Sequence, residues 1–442
     1  MSHADPVIVL PRNGAQLIAT AAASPITTGE LKLRRVDAAD FYVVHSVEKA
    51  RGIRQQVDIP AEYRTLNWKT TPHIGQYTAA PADLHRHHLT MLQRPGTIIE
   101  FSRFKQLVPM VRHPGPALGL LITHDPNLDP ELGEAGAQEF AGWIIQGDDV
   151  HAIPLAVEPE VLGLEQLRGL WPLDELAGAS VMLVGCGSIG GATADALAAY
   201  GIGSLHLVDP DRLLWHNLIR HVLGPDAVGQ FKVDALRTRL SARYPNLGLR
   251  AHRRDVVVHA DLMRALIPTV DLVVCTADGI AARRTVSHLA RRAAKPALLA
   301  CVLDHGGLGE ILRLRPTPRF GCLLCSRQHL AELGAMDTEA DQELDYGTGH
   351  THQPMTAVAP DLHHIGLLAA KCAVATLLQS GHGDDTQALP GEHAIIGLRP
   401  DGPYGPPFDL AHPGQISWHP IPPPRPSCPT CNPTPLQPGT SP

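Results

Sequence analysis

No stretch of the 442-residue sequence stays apolar over the ~18–20 residues that cross a bilayer. The longest run, Gly366 to Leu378, is short and contains Lys371, so no segment is expected to span a membrane. The opening Met-Ser-His-Ala-Asp lacks the basic and then apolar segments of an export signal, and the protein is expected in the cytoplasm. Cysteine is scarce: eight in so long a chain are too few for a disulfide scaffold. Basic charge is not in surplus either. Thirty-seven Lys plus Arg stand against 44 Asp plus Glu, a net charge of -7, and such a surface repels a phosphate backbone, which disfavours a nucleic-acid partner. Gly and Pro, 40 of each, fall short of low complexity, and collagen, coiled coil and acidic tail are excluded. What is present, 44% hydrophobic and 18% charged residues, describes a globular chain of two or three domains.

Residues 1–150 mix strand-like runs (Val7 to Leu10, Thr97 to Phe101, Leu118 to Ile122, Trp143 to Ile145) with turn clusters, and read as an α+β accessory domain. Residues 151–178 read as a linker helix, with leucines from Leu162 to Leu176 on one face. From Ala179 strands and helices alternate, as in a parallel sheet with crossover helices. Strands are expected at Val181 to Val184, Leu205 to Val208, Leu249 to His252, Leu272 to Cys275 and Ala297 to Leu303. Helices are expected at Gly190 to Ala199, Lys232 to Ala242, Ala281 to Ala294 and Asp361 to Leu378. The fold class is therefore α/β, a doubly wound, mostly parallel, Rossmann-like domain over 179–432. A polar crossover loop over 326–360 and a disordered tail over 433–442 complete the reading.

The first of these strands runs into Gly185-Cys186-Gly187-Ser188-Ile189-Gly190-Gly191 and then a helix. Gly185, Gly187 and Gly190 let backbone N–H groups approach phosphate oxygens where the helix dipole favours negative charge. Asp209, 22 positions after Gly187, ends the second strand, where a carboxylate accepts from ribose hydroxyls. This much leaves NAD and ATP equal.

The continuation separates them. Asp209-Pro210-Asp211, Asn217-Leu218-Ile219-Arg220-His221, Gly229-Gln230-Phe231-Lys232, and Thr276-Ala277-Asp278-Gly279 after a strand together resemble the ThiF/MoeB and ubiquitin-activating-enzyme superfamily over about residues 165–432. One residue is inserted before Asp278. The resemblance implies adenylation of a carboxylate by ATP. The obstacle there is an anion attacking a polyanionic nucleotide, so cations are required. Arg220 and Lys232 are expected to supply them and Asp278 to hold Mg²⁺ against the phosphates. By the same resemblance Asp211 lies on the phosphate and metal side, Asn217 contacts phosphate, and the protein is a homodimer.

Cys322-Leu-Leu-Cys325 and Cys428-Pro-Thr-Cys431 offer four thiolates in two clasps, which suits a closed, structural Zn²⁺ site pinning the proline-rich tail. No cysteine lies between Ser326 and Pro360, where thioester-forming relatives keep one, so the acyl-adenylate is expected to pass to an external amine or to a thiol on a conjugating-type protein. Loop histidines His350, His352, His363 and His364 are available to assist. In the first domain His85-Arg86-His87-His88 followed by Ser102 resembles the JAB/MPN metalloprotease order. Lys105 stands where that family has its aspartate ligand, which leaves an inactive JAB-like domain or an unrelated α+β binding module with surface histidines.

The lead expectation is an ATP-dependent adenylyltransferase acting on the C-terminal carboxylate of a ubiquitin-like or sulfur-carrier protein, with ATP, Mg²⁺ and Zn²⁺. The alternatives are adenylation of a tRNA base or peptide carboxylate, a degenerate scaffold, and an NAD-dependent oxidoreductase.

Overall fold

The structure is a computed structural model that describes residues 6–22, 28–36, 41–48, 52–57, 70–81, 83–159, 163–336, 338 and 356–432. The chain divides into two compact units, Met1–Gln166 and Leu167–Pro442.

The first unit is built on a ten-stranded mixed sheet: β1 (Val7–Leu10), β2 (Thr28–Val36), β3 (Phe41–Glu48), β4 (Arg54–Gln56), β5 (Thr70–Ala79), β6 (Ile99–Glu100), β7 (Gly119–His124), β8 (Phe140–Gln146), β9 (Asp149–Ile153) and β10 (Leu155–Val157). They lie in the order β10-β1-β3-β2-β5-β7-β8-β9-β6, with β4 beside β3. Helices α1 (Arg12–Ala22), α2 (Leu84–Leu92), α3 (Phe101–Leu107) and α4 (Pro130–Glu134) accompany it. Two expectations need correction. The unit does not end at 150, because β10 pairs in parallel with β1 inside the stretch read as linker helix. Within Thr97 to Phe101 only Ile99 and Glu100 are strand, since Phe101 turns inward to start α3 and packs in the Trp143 and Phe104 core.

Two of the three histidines of α2 are committed to that core. His85 and His88 are buried. His85 Nδ1–H donates to the Gln138 carbonyl (2.8 Å), and its Nε2 accepts from Thr123 Oγ1 (2.9 Å). His88 Nε2–H donates to the Gly142 and Ile153 carbonyls, and its ring stands edge-on to Trp143. Among the described residues no cluster of metal-ligating side chains occurs in this unit.

The second unit carries an eight-stranded sheet: β11 (Ser180–Val184), β12 (Ser204–Val208), β13 (Gly248–His252), β14 (Leu272–Cys275), β15 (Ala297–Leu303), β16 (Leu308–Leu314), β17 (His393–Gly397) and β18 (Ile416–His419). The order is β13-β12-β11-β14-β15-β16-β17-β18. β13 to β15 are parallel, and β15 to β18 are antiparallel. The helices are α5 (Leu173–Ala177), α6 (Ser188–Tyr200), α7 (Lys232–Arg243), α8 (Ala260–Leu266), α9 (Ile280–Arg292), α10 (Leu323–Glu332) and α11 (Ala359–Leu377). Strands β11, β14 and β15 read as unbroken apolar runs because helices cover both faces. Strand order reverses around β11, as in doubly wound folds.

Strand β16 escapes the sequence pattern because charges interrupt it. Glu310 and Arg313 are buried there. Glu310 accepts from Arg283 Nη2 (3.0 Å), Arg327 Nη1 (2.6 Å) and His393 Nε2 (3.0 Å); Arg313 forms a two-pronged pair with Glu392 (2.6 and 2.9 Å). The guanidinium groups and His393 hold the Glu310 carboxyl well below its ordinary pKa despite its burial. The expected 326–360 loop is also shorter than supposed, because Ser326 to Glu332 complete α10. His350 and His352, like the 433–442 tail, lie outside the described residues, whereas His363 and His364 are in α11.

The segment Ala359–His382 is long and apolar enough to cross a membrane by length and composition, and 67% of its apolar window is buried inside the fold. Gly366 is the reason α11 can lie so close to α6. A Cβ there would stand 2.6 Å from the Ile189 carbonyl oxygen and 2.9 Å from Ala192 Cβ, while Thr193 Oγ1 donates across to the Gly366 carbonyl (3.1 Å).

Candidate functional site

Ligands of doubly wound sheets sit outside the carboxyl ends of the strands at the point where strand order reverses. Here that point lies between β11 and β14, and a cavity of about 1100 Å³ opens there. It is lined by the glycine loop, Asp209, Asp211, Asn217, Arg220, Lys232 and Asp278, so the residues singled out in sequence from five separate segments meet in one place.

The loop is shaped by contacts that only glycine permits. Gly185 has φ +89° in the left-handed region, and a Cβ would fall 2.6 Å from Ala277 N. A Cβ on Gly190 would be 2.0 Å from the Gly185 carbonyl oxygen. Gly187 differs: a Cβ would meet nothing within 4 Å and would project into open space. It stands at the N-terminus of α6, where no side chain caps the first N–H groups. Free N–H groups, a helix dipole and room for an oxyanion together fit a phosphate.

Asp209 is buried and ties the loop down, its two oxygens accepting from the N–H groups of Cys186 (2.7 Å) and Asp211 (2.8 Å). Each oxygen keeps a second lone pair for a ribose hydroxyl. Burial raises the Asp209 pKa, against the opposing pull of Lys232. Lys232 heads α7 and donates to Asp211 Oδ2 at 2.8 Å. Burial works against its charge, but Asp209, Asp211 and Asp278 outweigh it and hold its pKa above the ordinary value. Asp278 is open to the cavity yet surrounded by protein atoms, which raises its pKa, while Arg220, Lys232 and Arg283 act in the opposite sense. Asn217 accepts from the Leu214 N–H through Oδ1 (2.9 Å) and so closes the single turn Trp215–Asn217, and its carbonyl accepts from the Arg220 N–H (3.1 Å).

Two further side chains, to which the sequence assigns no role, brace the loop. Thr276 Oγ1 donates to the Gly185 carbonyl (2.7 Å), and His221 Nε2–H donates to the Cys186 carbonyl (2.8 Å). His221 follows Arg220, and Thr276 lies two residues before Asp278. Only the folded geometry shows that their side chains turn back onto the loop.

The four cysteines outside the Cys-x-x-Cys pairs are withdrawn from solvent. Cys186, Cys275, Cys301 and Cys372 are all buried. Burial pushes Cys275 up to about 11 and Cys372 to about 12, and Cys186 well above its usual value.

Cys322, Cys325, Cys428 and Cys431 place their sulfurs within 4.8 Å of one another, with Cys322 to Cys428 at 3.5 Å and Cys325 to Cys431 at 4.0 Å. Four sulfurs around Zn²⁺ at ~2.3 Å would be ~3.8 Å apart, so the donor set fits the ion. The Arg425 N–H donates to Cys325 Sγ (3.4 Å), the kind of outer contact that orients thiolate ligands.

Fold and cavity together define a doubly wound α/β protein whose cavity at the strand-order reversal fits a phosphate group, with a separate four-cysteine site. The chain belongs to the ThiF family, whose model matches residues 161–394. It is 30% identical over 183 residues to the uncharacterized protein y4oA of Sinorhizobium fredii, covering 38% of this chain and 30% of that one. It is 26% identical over 174 residues to ubiquitin-like modifier-activating enzyme 5 of Drosophila simulans (37% and 43%). To adenylyltransferase and sulfurtransferase uba4 of Aspergillus niger it is 32% identical over 145 residues (33% and 30%). The matches thus span less than half the length of these curated relatives. Among solved structures, E. coli MccB with ATP aligns at a TM-score of 0.44 and 22% identity, covering 59% of this chain and 68% of that one.

Proposed function

We propose that the protein is an ATP-dependent adenylyltransferase that activates the C-terminal carboxylate of a ubiquitin-like or sulfur-carrier protein. The observation that carries this reading is the mixture of charges at the reversal point. Lys232 and Arg220 face the same cavity as Asp211 and Asp278, beside a loop that fits phosphate. Hydride transfer to a nicotinamide needs no such cations. Attack of a carboxylate on a triphosphate does, because two anions must be brought together.

In this reading the N–H groups at the start of α6 hold phosphate oxygens, and Arg220 and Lys232 offset the charge of the attacked α-phosphate. Asp278, with Asp211, would hold Mg²⁺, which would supply neutralisation of the departing pyrophosphate. Asp211 already orients Lys232. With the four other cysteines buried, the activated acyl group is handed to an external amine or to a thiol on a partner protein. The zinc clasp is structural, and the protein works as a homodimer.

ATP–pyrophosphate exchange in the presence of carrier proteins ending in a free carboxylate tests the proposal. Exchange is expected with at least one carrier class and is lost in Lys232→Ala and Asp278→Ala. Exchange driven instead by a short peptide or by a carboxylated tRNA base would replace the carrier assignment. Binding of NAD⁺ with no exchange would refute adenylation.

A further inference from the structure

His221 is a buried residue on the cavity wall whose two ring nitrogens are both engaged. The Leu223 N–H donates to Nδ1 (3.1 Å), so Nδ1 carries the lone pair and the proton resides on Nε2. That Nε2–H donates to the Cys186 carbonyl at 2.8 Å. The opposite side of the same residue is held as well, because the Cys186 N–H donates to Asp209 Oδ2. Cys186 is therefore gripped at both peptide groups, and it sits between Gly185 and Gly187, which have no side chains to fix the path of the loop on either side of it. His221 follows Arg220 in the chain, and the Arg220 carbonyl in turn accepts from His363 Nε2–H on α11 (3.0 Å). Burial, aided by Lys232, His363 and Arg220 nearby, lowers the His221 pKa to about 4, so the single tautomer persists across the neutral range.

We infer that His221 is a positioning residue for nucleotide binding. It locks the glycine loop to the Arg220 segment, so that the N–H groups at the α6 N-terminus and the Arg220 guanidinium are held at one fixed spacing for a polyphosphate. His363 fixes the far side of that segment. The inference rests on the reading of this cavity as an ATP site and adds what sets its geometry. A glutamine at 221 presents the same donor and acceptor pair, whereas a leucine fills similar volume with neither.

The test uses the full chain and ATP·Mg²⁺ as probe, by titration calorimetry, with thermal melting alongside. His221→Leu is expected to weaken binding about tenfold, the worth of one hydrogen bond in a charged site. His221→Gln is expected to stay within about threefold of the unmodified protein. His363→Ala, at a less buried position, is expected to weaken binding in the same direction. Equal affinity for His221→Leu and the unmodified protein overturns the inference, as does equal loss in His221→Gln and His221→Leu. Should His221→Leu not fold, nitrogen-15 spectra of the unmodified protein decide. An Nε2–H tautomer at His221 whose proton shifts on adding ATP supports the lock. An Nδ1–H tautomer, or no shift on saturation with ATP, overturns it. An unmodified protein that binds no ATP refutes the nucleotide reading itself, an outcome visible before any variant is made.

Discussion

Replacing Lys232 by methionine keeps most of the side-chain volume and removes the only charge that hydrogen-bonds Asp211 among the described contacts. The Lys232 to Asp211 pair has a 2.8 Å separation and side-chain exposures of 11% and 34%. Removing one partner of a fully buried pair costs about 3–5 kcal/mol. Water reaches Asp211, so a loss of ~1–3 kcal/mol is the better expectation, or roughly 3–10 °C in Tm for a unit of this size.

The pH dependence is more diagnostic than the magnitude. Asp209 and Asp278 already have pKa values raised by burial, and without Lys232 they rise further. A carboxyl with a raised folded pKa binds more protons folded than unfolded. Its penalty therefore starts above the unfolded value of about 3.9 and grows as pH climbs through the folded pKa. The gap in Tm between the two proteins should be full at neutral pH and shrink as pH falls toward about 4. Lys232 itself, with a raised folded pKa, contributes stability that is fully present below about pH 10.4 and lost as pH rises through the folded value, so the gap closes on the alkaline side too. Differential scanning calorimetry from pH 4 to 11 measures both limbs. A gap that does not vary with pH, or a more stable variant, refutes the electrostatic reasoning.

Two glycine substitutions should separate fold from function. Gly190→Ala forces a Cβ to 2.0 Å from the Gly185 carbonyl oxygen and is expected to destabilise by about 3 kcal/mol in a denaturant melt. Gly187→Ala meets no protein atom, so stability should stay within about 0.5 kcal/mol while ATP affinity falls about tenfold or more, because the methyl occupies the phosphate position. Glu310→Gln leaves Arg283 and Arg327 without their carboxylate in the sheet interior and should cost about 3–5 kcal/mol, read from the same melt. Elemental analysis should find one zinc per chain, and its removal by a chelator, or Cys428→Ser, should lower Tm and expose the 420–432 tail to protease.

The parallel half of the sheet was legible because β11, β14 and β15 are apolar on both faces and alternate with helical segments. The antiparallel half was not. In β16 the apolar run is broken by Glu310 and Arg313, whose partners Arg283, Arg327, His393 and Glu392 come from distant segments, and no local pattern encodes that pairing. In the site, Gly185 to Gly190, Asp209, Lys232 and Asp278 stood out through residue type and spacing. The structure adds what they are fastened by. Asp209 holds the loop through backbone N–H groups, Asn217 closes a turn, and His221 and Thr276 reach back to loop carbonyls. Side-chain direction, which sequence does not carry, decides each of these.

If Lys232 and Arg220 hold a triphosphate, calorimetric titration of the full chain with ATP·Mg²⁺ beside NAD⁺ distinguishes the two nucleotides. ATP·Mg²⁺ should bind, Lys232→Met should abolish most of that binding, and NAD⁺ should give no heat. Saturable binding of NAD⁺ with none of ATP would contradict that role for the two cations.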